Sequence, residues 1–319
     1  RVSMKLSTEL SLEYSPYPID YNSRLLCLGS CFAEHLSRKL SYYKFQVVNN
    51  PFGILFHPKS ILDIVEKTVT DEEFTTDDVF EHDAMWHSFF SHSRLSRRSS
   101  SETLSVLHSA KEELREASAK ASHIIITLGT SFLYHQTSSG QSVANCHKLP
   151  QHVFDKSLSS VGELESILSQ LIANFETLNP GVNLIFTISP VRHIKDGIIE
   201  NQRSKANLIS ALHSVIEDTS STCLYFPSYE LMMDEYRDYR FYDRDLIHPN
   251  ALAVDLIWNK FKTHFIANQI FEAMQKVEKL QKSLAHRPSQ NDGEIDQKLA
   301  LFQSKIREEL KRDYPFMNF

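Results

Sequence analysis

The chain reads as an α/β fold, a doubly wound parallel sheet flanked by helices and followed by a C-terminal helical extension. Two observations predict it: short apolar runs bounded by turn residues, and amphipathic helical patterns between them. The first run is Arg24–Gly29 (RLLCLG), read as a buried strand, and the pattern after it opens a helix running toward Lys39. His123–Leu128 (HIIITL) is the second strand. A helix follows, with its apolar face at Leu164, Ile167, Leu168, Leu171, Ile172, Phe175 and Leu178, and Asn179-Pro180-Gly181 stops it. Asn183–Ile188 (NLIFTI) is a third strand, Leu208, Ile209, Leu212, Val215 and Ile216 mark the next helix, and Thr222–Phe226 (TCLYF) is a fourth strand. Asn250–Lys262 forms the last helix of the sheet domain.

Beyond about Phe265 the pattern changes. One stripe runs through Ala273, Val277, Leu280 and Leu284; a second, after the loop His286–Gly293, runs through Ile295, Leu299, Phe302, Ile306 and Leu310. Residues 1–265 therefore read as one α/β domain, and residues 266–319 as a helical hairpin that covers either the core or a second copy of the chain.

Composition narrows the class of protein. The chain has 319 residues with 41% hydrophobic and 23% charged, enough to bury a sizeable core. A net charge of -6 argues against nucleic acid as a partner. No apolar run approaches the ~20 residues of a membrane helix, and the polar stretch Arg1–Tyr21 lacks a signal-peptide core, so cytoplasm is the expected location. Arg94, Arg97 and Arg98 read as a solvated loop. Of the cysteines, Cys27 and Cys223 lie in apolar runs and read as core, whereas Cys31 and Cys146 sit among polar residues. No C-x-x-C pair occurs.

Two features carry chemistry. Gly29-Ser30-Cys31 joins the first strand to a helix, where free N–H groups and the helix dipole lower a thiol pKa and can hold an oxyanion. The plainer reading of the same residues is a strand-to-helix turn with a buried thiol. Asp245-Leu246-Ile247-His248-Pro249 sets an aspartate three residues before a histidine, a compact way to orient a general base. Its plainer reading is a turn cap beside a surface histidine.

Together, with the nucleophile first and Asp-His last, these features resemble the SGNH or GDSL hydrolase superfamily, and with it a flavodoxin-like sheet. The likeness is closer to the GSCFA family, whose motif stands here as Gly29-Ser30-Cys31-Phe32-Ala33. Asn50-Pro51-Phe52-Gly53, Leu128-Gly129-Thr130, Val143–Lys148 (VANCHK), Ser189–His193 (SPVRH) and Arg240–Asn250 (RFYDRDLIHPN) are similar too. The resemblance implies acyl-ester chemistry with Cys31 or Ser30 as nucleophile, His248 as base and Asp245 behind it. Cys31 holds the third place of the turn, where the superfamily has serine, and Ser30 replaces its aspartate. The resemblance places oxyanion and substrate contacts at Asn50, Gly53, Gly129 and Ser131; Ser131 stands where the superfamily has an asparagine, which Asn145 is positioned to replace. His147, Lys148, Arg192 and His193 read as contacts to an anionic or carbonyl-bearing substrate, with a structural salt bridge the alternative for Arg192.

No cofactor is expected. The substrate class is a small-molecule or carbohydrate ester, the carbohydrate by fold analogy alone. Two rival readings stand beside the esterase or acyltransferase. One is a non-catalytic carbohydrate-binding or assembly protein; the other is a metal-dependent hydrolase using Cys146, His147, His193 and His248.

Overall fold

A computed structural model describes residues 8–219, 222–285 and 293–319, without the side chains of residues 293–296. Residues 286–292 of the expected loop His286–Gly293 and the side chain of Ile295 lie outside these residues, as does the start of the polar N-terminal stretch.

The elements follow in chain order: β1 (Arg24–Gly29), α1 (Cys31–Tyr42), β2 (Gln46–Asn49), α2 (Pro58–Val69), β3 (Phe80–His82), β4 (Met85–His87) and α3 (Ser100–Lys120). Next come β5 (His123–Leu128), β6 (Phe132–Gln136), β7 (Ser142–Val143), β8 (Phe154–Leu158), α4 (Val161–Leu178), β9 (Asn183–Ile188) and α5 (Ile198–Asp218). The chain ends with β10 (Cys223–Phe226), α6 (Ser228–Glu230) running into a π-helical turn at Leu231–Glu235, α7 (Ala251–Phe265), α8 (Phe271–Ala285) and α9 (Gly293–Asp313).

A parallel sheet in the order β10-β9-β5-β1-β2 forms the middle layer. Its registers bring the carboxyl ends level, with Gly29 opposite Thr127 and Leu128 opposite Ile188. Every residue of β5 is buried, as a central strand covered on both faces must be. Alternate residues feed two cores. Leu26, Leu28, Ile124, Ile126, Leu184 and Phe186 pack with apolar faces of α2, α3, α4 and α5. Leu25, Cys27, Ile125 and Ile185 belong to the cluster on the other side, with α1, α7, α8 and α9. The doubly wound sheet expected from the sequence is therefore present.

The helix boundaries have local causes. Ser160 and Glu163 make a capping box at the start of α4, and the Asn250 side chain accepts the Ala253 N–H at the start of α7. The C-terminal hairpin joins the second core through Met274, Val277, Leu280, Ile306 and Leu310, while Leu284 and Phe302 of the expected stripes stay exposed. It also reaches α1, where Gln281 Nε2 donates to the Tyr42 carbonyl at 3.2 Å.

Two small antiparallel units decorate the loops: the hairpin β3–β4 and the three-stranded sheet β7-β6-β8. A salt bridge from Lys156 of β8 to Asp196 ties the latter sheet to the loop after β9. Among the described residues, no helix is long and apolar enough to cross a membrane.

Candidate functional site

The chain leaves β1 toward β2 on one side, then crosses to β5 and continues outward through β9 to β10. The carboxyl ends of β1 and β5 thus flank a topological switch point, where open α/β sheets form their crevice. Backbone approach here is close. Gly29 has φ +121°, and a Cβ on it would lie 2.1 Å from the Thr127 carbonyl oxygen, so no other residue fits without moving the strand.

Cys31 begins α1 directly after this turn and is partly accessible, whereas Ser30 is fully buried. Ser30 occupies the N-cap with no side-chain capping bond, and its hydroxyl has no partner among the described residues. The N–H groups of Cys31 and Phe32 interact with the Cys31 sulfur and favour its thiolate, as does the charge of Lys205. Burial is the larger effect, however, and the thiol sits above the ordinary cysteine value. The depressed thiol pKa expected from the helix N-terminus is thus corrected: desolvation outweighs the dipole.

Asn50 closes the other side of the turn. Its backbone lies in the left-handed region at φ +43°, which asparagine tolerates. Its Oδ1 accepts the Gly29 N–H at 2.8 Å, and its carbonyl accepts both the Gly53 N–H and the Arg94 guanidinium. The Asn50 Nδ2 is buried with no partner among the described residues. Arg94 is exposed, as expected of a solvated loop, and it also pairs with Glu34 of α1 at 3.1 Å, so it clamps two segments of the site from the solvent side.

His248 and Asp245 are joined as the sequence pattern anticipates. Asp245 Oδ2 lies 2.6 Å from His248 Nδ1, while Oδ1 accepts the N–H groups of Ile247 and His248. These bonds hold the Asp245 carboxyl down at about 2, the backbone donor of His248 first among them. Both side chains remain about half exposed. The loop is braced by Arg192, whose guanidinium donates to the Leu246 carbonyl and lies 4.5 Å from the Tyr242 ring centroid. The salt bridge expected as one alternative for Arg192 is not formed among the described residues; its guanidinium donates to a carbonyl instead.

Electrostatic influence links the two halves of the motif. His248 acts on His35, one turn beyond Cys31 on α1, and on His193. Lys205 acts on both His193 and Cys31. Burial holds His35 neutral to about pH 4 and His193 to about pH 3. His193 packs edge-on against Phe56 at 5.3 Å, and its Nε2 is buried without a partner among the described residues.

Other expected contacts lie elsewhere or are already engaged. The Gly53 N–H donates to Asn50, so this residue is not a free oxyanion donor; its glycine is required because a Cβ would meet His92 at 2.4 Å. The Gly129 N–H donates to the Phe56 carbonyl. Ser131 is fully buried and bonds Ser204 of α5 through both its hydroxyl and its N–H, so it does not replace the missing asparagine. Asn145 is held within its own turn, where its Oδ1 accepts the His147 N–H.

His147 and Lys148 are not extended. Both have positive φ, and His147 is buried, with Nε2 2.7 Å from the Ser88 carbonyl and its ring 4.6 Å from that of His87. Cys146, His147, His193 and His248 do not converge, and no group of three or more His, Cys, Asp or Glu side chains among the described residues is placed to hold a metal ion. The metal-dependent rival therefore loses its ligand set.

The sequence reading passed over Lys205 and His35. Lys205 carries a signal of its own, since it falls on the buried stripe Asn201, Ser204, Leu208 and Leu212 of α5, where a charge is out of place. His35 shares a helix face with Cys31 through i, i+4 spacing.

No curated protein matches this chain. The model of the GSCFA family matches residues 24–261, from β1 into α7 and across every segment of the site described above. The chain belongs to the GSCFA family.

Proposed function

We propose that this protein is an acyl-ester hydrolase or acyltransferase of the SGNH type, with Cys31 as nucleophile and His248, oriented by Asp245, as general base. The observation that carries the reading is the 2.6 Å pairing of His248 Nδ1 with Asp245, which leaves Nε2 as the proton acceptor on a half-exposed ring. Cys31 supports it as the accessible member of the Ser30-Cys31 pair. Its own N–H, that of Phe32 and the unpartnered Asn50 Nδ2 are the oxyanion donors of this reading.

The cycle balances with these groups alone. The sulfur attacks the ester carbonyl as its proton passes to His248. Protonated His248 then donates to the leaving alkoxide, and an alcohol departs from a Cys31 thioester. Water, or a second alcohol in a transferase, gives its proton to His248 and attacks the thioester, and the thiol is restored.

An acylated carbohydrate suits the surroundings. A cavity of about 210 Å³ lined by Arg192, Met233, Arg237, Tyr239 and Tyr242 adjoins the His248 loop. Exposed tyrosine faces and guanidinium donors fit a sugar ring.

A non-catalytic binding protein is the second reading, favoured by the burial that raises the Cys31 thiol instead of lowering it. Labelling with iodoacetamide and with a fluorophosphonate, followed by peptide mapping, separates the two when run beside turnover of p-nitrophenyl acetate. Ester turnover lost on alkylation of Cys31 is the expected result. A protein that neither labels at Cys31 or Ser30 nor turns over the ester is a binding protein.

A further inference from the structure

We infer that the cavity beside the His248 loop is an oxyanion-binding subsite, in which Arg192 and Arg237 hold a phosphate or carboxylate group carried by the substrate. That the anion belongs to a substrate rests on the ester reading above; that the cavity binds an anion does not.

The cavity measures about 210 Å³ and is lined by Arg192, Met233, Arg237, Tyr239 and Tyr242. Pockets that enclose a whole small-molecule ligand run to roughly 300–1,000 Å³, so this one has room for a single substituent of a larger molecule. Two guanidinium groups line it and no carboxylate does.

The acidic side chains on the neighbouring segments are turned to other partners. Glu235 pairs with Lys260 at 3.0 Å, and Asp238 lies 3.7 Å from Arg240. Asp243 accepts the Arg244 N–H at 2.8 Å, and Asp245 belongs to His248. Asp234 is exposed and is not part of the lining. Two like charges around one small space repel each other, and an anion between them removes that cost.

Arg192 is held ready for such a ligand. Its N–H donates to the Ile247 carbonyl at 3.3 Å and its guanidinium to that of Leu246. The Tyr242 and Tyr239 rings flank the guanidinium at 4.5 and 5.7 Å. These contacts fix its plane and leave Nη1 uncommitted; Nε is buried without a partner among the described residues. Arg237 is exposed, and its side chain makes no hydrogen bond or ion pair among the described residues. One rigid and one adaptable guanidinium can grip an oxyanion from two directions, and such charge-assisted bonds are the strong ones. Because the carbonyls that Arg192 engages immediately precede His248 in the chain, a group bound here sits next to the loop that carries the proposed base.

The test reads anion binding without turnover. The full chain is modified with phenylglyoxal, and arginine labelling is mapped by peptide analysis with and without inorganic phosphate or sodium glucuronate. The expected result is at least about threefold protection of Arg192 and Arg237 by one of the two anions, while Arg98, exposed elsewhere, stays reactive. The anion that protects at the lower concentration identifies the substituent as phosphate or carboxylate. In Arg237→Gln, the dissociation constant of that anion, read by NMR titration, should rise about tenfold. Arg237 has no partner in the fold to lose, and the protection map needs no variant at all. Protection by neither anion, equal protection of Arg98, or an unchanged dissociation constant in Arg237→Gln overturns the inference. Turnover of the uncharged p-nitrophenyl acetate keeps the two readings apart. Hydrolysis without anion binding defeats the subsite alone, and anion binding without hydrolysis defeats the ester chemistry alone.

Discussion

Two loops of this molecule carry a histidine expected in the site, and they differ in what the fold leaves available. In the loop after the π-helical turn, His248 gives Nδ1 to Asp245 and its ring stays half exposed. In the loop after β7, His147 follows Cys146 directly, yet its ring is only 4% exposed and its Nε2 is engaged by the Ser88 carbonyl. Phe80 and Phe89 lie against it, in a small apolar cluster that includes Val143 and Phe154. The first histidine is oriented by a side chain and keeps a reachable nitrogen; the second is a core residue with a polar edge. Residue type does not separate them. What separates them is a free nitrogen within reach of a ligand.

The comparison breaks most readily at the nucleophile. Cys31→Ala should lower turnover of an activated ester at least a thousandfold, and His248→Ala should cost about 10²–10⁴. His147→Gln should leave kcat and KM within about twofold. Steady-state kinetics on the three variants measures this directly, and a His147 effect as large as that of His248 would erase the distinction.

The next largest effect is on folding. Gly29→Ala places a methyl group against the Thr127 carbonyl in a backbone conformation at φ +121°. Strain and displacement together should cost about 3 kcal/mol or more, read as a lower midpoint in urea unfolding. A variant of wild-type stability would mean that β1 and β5 are not in this register.

Sequence and structure agree best where burial sets the pattern. The runs at Arg24–Gly29, His123–Leu128 and Asn183–Ile188 match their strands residue for residue, because central strands are apolar throughout and turn residues delimit them. The half-buried edge strand β2 and the short antiparallel strands β3, β4, β6, β7 and β8 escaped notice. They are too short and too mixed for a period of two to stand out. Within the site, the Asp245–His248 pair was legible because three residues of turn suffice to make it. The disposition of Gly53, Ser131 and Asn145 was not, because each is decided by a partner: Gly53 by His92, Ser131 by Ser204 and Asn145 by its own turn. Lys205 depends on carbonyls 76 and 16 residues away, which no local pattern announces.

Acid sharpens the contrast between the two loops. Burial first, then the nearby His87 and His92, lowers the His147 pKa from 6.5 to about 4. A histidine that is harder to protonate when folded contributes stability that is complete above pH 6.5 and is lost as pH falls toward 4. Asp245 behaves in the same sense at lower pH: its contribution is complete above about pH 3.8 and is lost as pH falls through about 2. Unfolding titrations should therefore show a shallower loss between pH 6.5 and 4 in His147→Gln than in the wild type. Equal slopes would mean that His147 is accessible to protons in the folded chain.

The smallest expected effect falls one residue before the nucleophile. Ser30 holds the N-cap of α1, a position where losing serine ordinarily costs about 1 kcal/mol. Here the hydroxyl makes no capping bond and is buried without a partner among the described residues. An unsatisfied buried hydroxyl is itself unfavourable, by about 1–3 kcal/mol, and a methyl group in its place removes that cost. The two arguments oppose each other, but the first requires a bond that is absent, so the second should prevail. Ser30→Ala is expected to be neutral or up to about 1 kcal/mol more stable, with turnover within about threefold of wild type. A Ser30→Ala chain that loses turnover while Cys31→Ala retains it would move the nucleophile to Ser30. The fully buried hydroxyl would then have to become accessible during the reaction, with α1 shifting at its first turn.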